Sequence, residues 1–145
     1  MTKETAKRLN IELISSPAQT RDQLKQVFEA LRQDGPSAVL VIADFWVHKN
    51  RQYLHALSLE ARVPVMYGAQ QEVEEGGIIS YNQDLLDTQR RAASYVTRIR
   101  QGADPSKLPV GRPSKYQLII NLKTAKRLGI TVPQSMMLRA DRLIE

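Results

Sequence analysis

The apolar residues of this chain follow two spacings, and the change from one to the other marks the elements. Ala38-Val39-Leu40-Val41-Ile42-Ala43 is an unbroken apolar run, too short for a stable helix and rich in β-branched residues. It predicts a strand buried on both faces, central in a parallel sheet. Ahead of it, Leu24, Val27, Phe28 and Leu31 recur at helical spacing behind the capping-box pattern Thr20-x-x-Gln23, with Gly35 placed to stop the helix. Residues 2–9 read as the end of a short helix and 11–14 as a strand. A second helix spans about residues 50–62, with Leu54, Leu57 and Ala61 on one face, and Pro64 separates it from the short strand Val65-Met66-Tyr67. This βαβαβ order implies right-handed crossovers and a parallel sheet.

Beyond Gly68 an acidic segment, residues 70–75, leads to Gly76-Gly77 and a strand at Ile78-Ile79-Ser80-Tyr81. Leu85, Leu86, Gln89, Ala92, Ala93, Val96 and Ile99 mark the longest amphipathic helix, which ends at Gly102. A proline-rich connecting loop, residues 103–114, precedes a strand at 116–120, and Asn121 caps a helix bearing Leu122, Ala125 and Leu128 that Gly129 stops. Pro133 opens a last short helix carrying Met136, Met137 and Leu138. The expectation is one α/β domain over residues 1–145, a three-layer Rossmann-like parallel sheet with helices on both faces.

Composition changes this picture only by exclusion. A length of 145 residues suits one domain with a real core, and 42% hydrophobic with 25% charged residues is ordinary for a globular chain. The absence of cysteine removes disulfides, thiolate metal sites and a cysteine nucleophile. The first residues show no long apolar stretch of the kind an export signal carries, so the sequence as given reads as lacking one. Charge is uneven: residues 1–89 hold 9 Lys/Arg against 12 Asp/Glu, whereas residues 90–145 hold 12 against 3. That basic third could attract nucleic acid, anionic lipid or an acidic protein, although its charges spread over helix faces as a solvated surface does.

Motifs for chemistry are missing. Neither G-x-x-x-x-G-K-[ST] nor G-x-G-x-x-G occurs, nor the G-x-S-x-G nucleophile elbow, so no catalytic residue and no cofactor is assigned. His48 and His55 lack a third metal ligand and read as solvated or capping residues. Pro109-Val-Gly111-Arg112-Pro113-Ser-Lys115 resembles a minor-groove hook, and a cytoplasmic nucleic-acid-binding domain is the rival function it would support. A proline-rich loop accounts for it more simply. What does collect at predicted strand ends is Asp44, Phe45, Trp46, Tyr67, Gly68, Ser80 and Tyr81. In open α/β sheets ligands bind at the carboxyl ends of the strands. Rings, hydroxyls and one carboxylate there suit a small amphiphilic solute: stacking from Phe45, Trp46, Tyr67 and Tyr81, a hydrogen bond from Ser80, and a charge partner in Asp44.

Several motifs occur in one order: Gly76-Gly-Ile-Ile-Ser-Tyr81, Arg90-Arg-Ala-Ala-Ser-Tyr-Val96, Leu108-Pro-Val110 and Ile120-Asn-Leu-Lys-Thr-Ala-Lys-x-Leu-Gly129, then Ile130-Thr-Val-Pro133 and Leu138-Arg-Ala-Asp141. The set resembles the ABC-transporter substrate-binding protein family, of type I periplasmic-binding-protein fold, and matches the C-terminal half of that family's length. Two departures are Asn82, where family members tend to have glycine, and Gly111-Arg112, where they tend to have an acidic or polar pair. The resemblance implies a binding protein and not an enzyme: one lobe of a two-lobe receptor that closes on a small solute such as an amino acid or aromatic acid. Its implied partners are ABC permease subunits and a missing N-terminal lobe or a homodimer partner, and its implied location is periplasmic or at the membrane surface.

Overall fold

Five strands make one sheet in sequence order: β1 (Val39–Leu40), β2 (Val65–Tyr67), β3 (Ile79–Gln83), β4 (Tyr116–Asn121) and β5 (Arg142–Ile144). The computed structural model describes residues 2–34 and 38–145, so the expected helix stop at Gly35 lies outside the described residues. Pairing is parallel for β1–β2, β2–β3 and β4–β5 and antiparallel for β3–β4. The antiparallel step has a local cause. The chain leaves β3 into α6 (Leu85–Arg100) and the proline-rich loop, then returns beside the point it left, Gln83 facing Tyr116, without crossing the sheet.

The helices start where their capping residues predict. Thr20 Oγ1 accepts from the Gln23 N–H at 3.2 Å to open α2 (Arg21–Asp34), while the Gln23 side chain reaches back to the Gln19 N–H at 2.8 Å. Asn121 caps α7 (Leu122–Leu128) through the Thr124 N–H, and Gly129 ends it at φ 73°, a conformation cheap only for glycine. Helix α2 packs beside α4 (Arg51–Ala61), and their Leu24, Phe28, Leu54 and Leu57 form the main core with Val65, Tyr67, Val73 and Ile119. A smaller cluster of Ile78, Ala125 and Leu128, with Ile79 against it, seats α7 beside β3.

Three expectations are corrected. Residues 38–43 do not form a central strand: only Val39 and Leu40 are assigned to β1, and β1 stands at the edge of the sheet. Residues 11–14 form no strand, and Ile11, Leu13 and Ile14 are exposed. Both departures share a reason, since strand geometry is held by ladder hydrogen bonds and these segments lack a neighbour on at least one side. Third, the sheet is mostly rather than wholly parallel. Helices α1 (Thr2–Arg8) and α8 (Gln134–Met137) match expected helices, whereas α3 (Phe45–Lys49), α5 (Gln70–Glu74) and β5 are elements the pattern did not announce.

Candidate functional site

The parallel strands β1, β2 and β3 present their carboxyl ends along one rim of the sheet, and the loops that leave them carry most of the expected site residues. Asp44 leaves β1. Its Oδ1 accepts from the Val47 N–H at 2.8 Å, which makes it the N-cap of α3 and places Phe45 and Trp46 in that helix's first turn. The Phe45 ring is 81% exposed, whereas Trp46 is half-buried and packs against the main core. Sequence reasoning placed both rings at a strand end, and the cap parts them, one to solvent and one to the core.

Gly68 leaves β2 pressed against β1. A Cβ there would lie 2.4 Å from Ala43 Cβ, so the absence of a side chain lets the two loops meet. Its carbonyl accepts from the Asn82 side chain, which ties the β2 and β3 exits together. Tyr81, on β3, stacks on Tyr116 of β4 with ring centroids 5.6 Å apart and planes at 22°, and both rings are about half exposed.

Two expected residues point the other way. Tyr67 is 1% exposed with its ring in the main core, and Ser80 is equally buried beside it in the β2–β3 register. Neither offers an atom to the rim. The rim set is therefore Asp44, Phe45, Gly68 and Tyr81, with Tyr116 added by the stacking. Tyr116 was legible as a strand residue, but only the β3–β4 register shows that it shares a face with Tyr81.

Beneath the rim lies a buried polar group that the sequence did not reveal. Glu72 of α5, 3% exposed, meets His48 Nδ1 at 3.4 Å through Oε1. His55 and Tyr67 pack edge to face with centroids 5.0 Å apart. Burial lowers the His55 pKa from its ordinary value and raises that of the Tyr67 hydroxyl, which the Glu72 carboxylate raises further. Glu72 Oε2, Tyr67 Oη and His55 Nε2 are buried and find no hydrogen-bond partner among the described residues. His55 is buried and so is not the solvated or capping residue the sequence suggested, whereas His48, in the last turn of α3 with its side chain 40% exposed, stays partly solvated while it leans on Glu72. No cluster of three His, Cys, Asp or Glu suited to a metal occurs among the described residues.

Asp84, also unforeseen, closes the far side of the site. It caps α6 through the Asp87 N–H, accepts from Gln117 and pairs with Lys115 at 3.3 Å; the Asp87 N–H foremost, and Lys115 after it, hold its carboxyl below the usual range. The Gly111-Arg112-Pro113 loop is braced on α6, Arg91 donating to the Arg112 carbonyl and Tyr95 to that of Pro109. Two surface hollows, of about 350 and 270 Å³, lie elsewhere: one between α7 and residues 129–137, the other between α2 and α4.

The rim thus bears an exposed carboxylate and exposed rings, and neither of these two hollows lies on it. Residues 1–144 match the model of the ABC transporter substrate-binding protein family, and the chain belongs to that family. Among solved structures it is similar to a conserved domain protein from Vibrio cholerae, at 26% identity and TM-score 0.84, covering 97% of this chain and 47% of that one. It is similar in fold to an ABC domain from Streptococcus pneumoniae in complex with L-Trp, at 22% identity and TM-score 0.84, covering 98% and 48%. A third is the ligand-free, open form of a substrate-binding protein with adhesive properties from Clostridium difficile, at 18% identity and TM-score 0.75, covering 99% and 48%. No curated protein matches the chain. The chain thus spans about half the length of the solved structures it resembles, and its α/β sheet is that of a periplasmic-binding-protein lobe.

Proposed function

We propose that the chain acts as one lobe of a solute receptor for an ABC transporter, and that its solute is a small amphiphile carrying an amine, such as an amino acid with an aromatic side chain. The observation that carries this is the exposed Asp44 carboxylate next to the exposed Phe45 ring, at the carboxyl end of a parallel strand. A carboxylate offers an ammonium group a charge partner, and a ring offers an apolar body a face. The L-Trp held by the Streptococcus pneumoniae protein, similar in fold, is a solute of that chemistry and supports the choice. Tyr81 and Tyr116 extend the aromatic wall. A second lobe would supply the opposite wall, and ligand would favour the closed arrangement because only there does it touch both. Permease subunits as partners, and a site of action outside the cytoplasmic membrane, belong to the same proposal.

Calorimetry with L-Trp and other amino acids, on this chain and on a two-lobe receptor containing it, tests the reading. The single lobe is expected to bind weakly, because half the ligand stays in water. Asp44→Asn keeps a capping side chain, so it should leave the melting temperature unchanged while lowering two-lobe affinity at least about tenfold. Submicromolar affinity in a monomer of this chain, or affinity unchanged in Asp44→Asn, would overturn it.

A further inference from the structure

Helix α3 carries the two groups on which solute binding would depend, Asp44 as its N-cap and Phe45 as its first residue, yet little within α3 keeps it in place. It has five residues, whereas helices shorter than about 12–15 residues are marginal in water on their own. Phe45, Trp46, Val47 and His48 are all weak helix formers, and no residue of α3 is buried. Asn50 ends α3 and α4 starts at the next residue, so the angle between the two helices is set at one position.

Two carbonyls near the C-terminal end of α3 are held by side chains, and each of those side chains is held by another element. The Trp46 carbonyl accepts from Asn50 Nδ2 at 2.9 Å. Asn50 is buried, its Oδ1 accepts from Arg21 Nε of α2 at 2.8 Å, and the Arg21 guanidinium lies 5.3 Å from the centroid of the Tyr53 ring. The His48 carbonyl accepts from Arg51 Nη1 at 2.8 Å, while Nε and Nη2 of the same guanidinium donate to the two carboxylate oxygens of Glu75 at 2.6 and 3.0 Å. Glu75 follows α5 directly and also accepts from Gln71 at 2.8 Å. As the first residue of α4, a cation is the poorer choice for that helix's dipole, so the placement of Arg51 answers to α3 and Glu75. A planar fork that reaches a carbonyl with one nitrogen and a carboxylate with two others is a rigid connector, and a lysine ammonium does not reproduce it.

We propose that Arg51, gripped by Glu75 and backed by Asn50, is the positioning residue of the rim: it fixes α3, and with it the places of Asp44 and Phe45, and touches no solute itself. This role rests on the rim being the solute site proposed above, and the test separates the two.

Trp46, the single tryptophan of the chain, lies in α3 and reports on it without solute. In the 145-residue chain alone, Arg51→Lys should raise acrylamide quenching of Trp46 about twofold. It should also speed exchange of the His48 and Asn50 amides, which donate to the Asp44 and Trp46 carbonyls, by about tenfold. Arg51→Glu/Glu75→Arg rebuilds an ion pair between the same positions but leaves position 51 without a donor for the His48 carbonyl. It should therefore keep the melting temperature within about 2 °C of the parent and still show the raised quenching, a separation that a merely structural ion pair would not give. Glu75→Gln, which leaves Arg51 in place but removes the carboxylate, should move quenching and exchange the same way by less, and it serves where Arg51→Lys does not fold. In the two-lobe receptor, Arg51→Lys should weaken L-Trp binding about tenfold, because a rim out of position loses its contacts. Quenching and exchange like the parent's in every variant would overturn the proposal. So would altered quenching with L-Trp affinity unchanged, while Asp44→Asn lowers that affinity. Affinity unchanged in Asp44→Asn as well would overturn the solute site itself, and the positioning role with it.

Discussion

Gly77 lies flat against the ring of Tyr67: a Cβ at Gly77 would stand 2.6 Å from Tyr67 Cδ2 and 2.9 Å from the Glu72 carbonyl oxygen. The Gly77 amide donates to that same carbonyl at 2.8 Å, so the backbone cannot retreat without breaking the bond that closes α5. Gly77→Ala should therefore cost about 2–3 kcal/mol, as overpacking of a filled core does. Gly102→Ala, at φ 95° with nothing within 4 Å of the new Cβ, should cost only the left-handed penalty of about 1–2 kcal/mol. Urea unfolding of the two variants gives the order directly.

The Tyr67 hydroxyl is buried without a hydrogen-bond partner among the described residues. Tyr67→Phe should leave stability unchanged or raise it by about 1 kcal/mol, because an unpaired buried hydroxyl is a desolvation cost. Solute affinity of a two-lobe receptor should not change, since the ring does not reach the rim. A marked loss in either measurement would show that the hydroxyl is used.

Stability should also fall in mild acid through His55. Burial lowers its pKa, more than the opposing pull of the Glu75 carboxylate raises it. As pH falls, the unfolded chain therefore takes up the proton first. The contribution is complete above the ordinary histidine value of about 6.5 and declines as pH drops below it toward the lowered folded value. Urea midpoints between about pH 7.5 and pH 5.5 should fall for the unaltered chain and fall less for His55→Leu.

How much of this could be read from the sequence depends on how local each cause was. Caps were legible, because Thr20, Asn121 and Gly129 act within three residues of themselves. The apolar run at 38–43 was legible as strand only in part: Val39 and Leu40 form β1, but Leu40 and Ile42 are exposed where burial on both faces was expected. Its place at a sheet edge could not be read, since strand order belongs to the fold and not to the run. Phe45 and Trp46 differ in the same way: adjacent in sequence, they part because Asp44 starts a helix there. Tyr67 and Ser80 looked like rim residues from their position at strand ends, but the face each presents follows from register, and both fall on the covered side. The Glu72, His48, His55 and Tyr67 group joins four elements and has no linear signature.

The last prediction concerns α6. Its sixteen residues include none that is buried, and Leu85, Leu86, Val96 and Ile99 are all exposed although they repeat at helical spacing. A stripe of that kind costs free energy in water, and contiguous exposed apolar surface marks a place where something docks. In a two-lobe receptor the other lobe is the proposed cover, while for the isolated chain a second copy is the available one, and twofold pairing is the commonest form of such association. Val96→Glu/Ile99→Glu should then leave the fold intact, with a melting temperature within about 2 °C, because exposed positions contribute little to stability. Sedimentation equilibrium should show the unaltered chain associating at high concentration and the double variant shifted toward monomer. A monomeric parent whose double variant unfolds would mean that the helix is covered by its own sheet, contrary to its exposure in this structure.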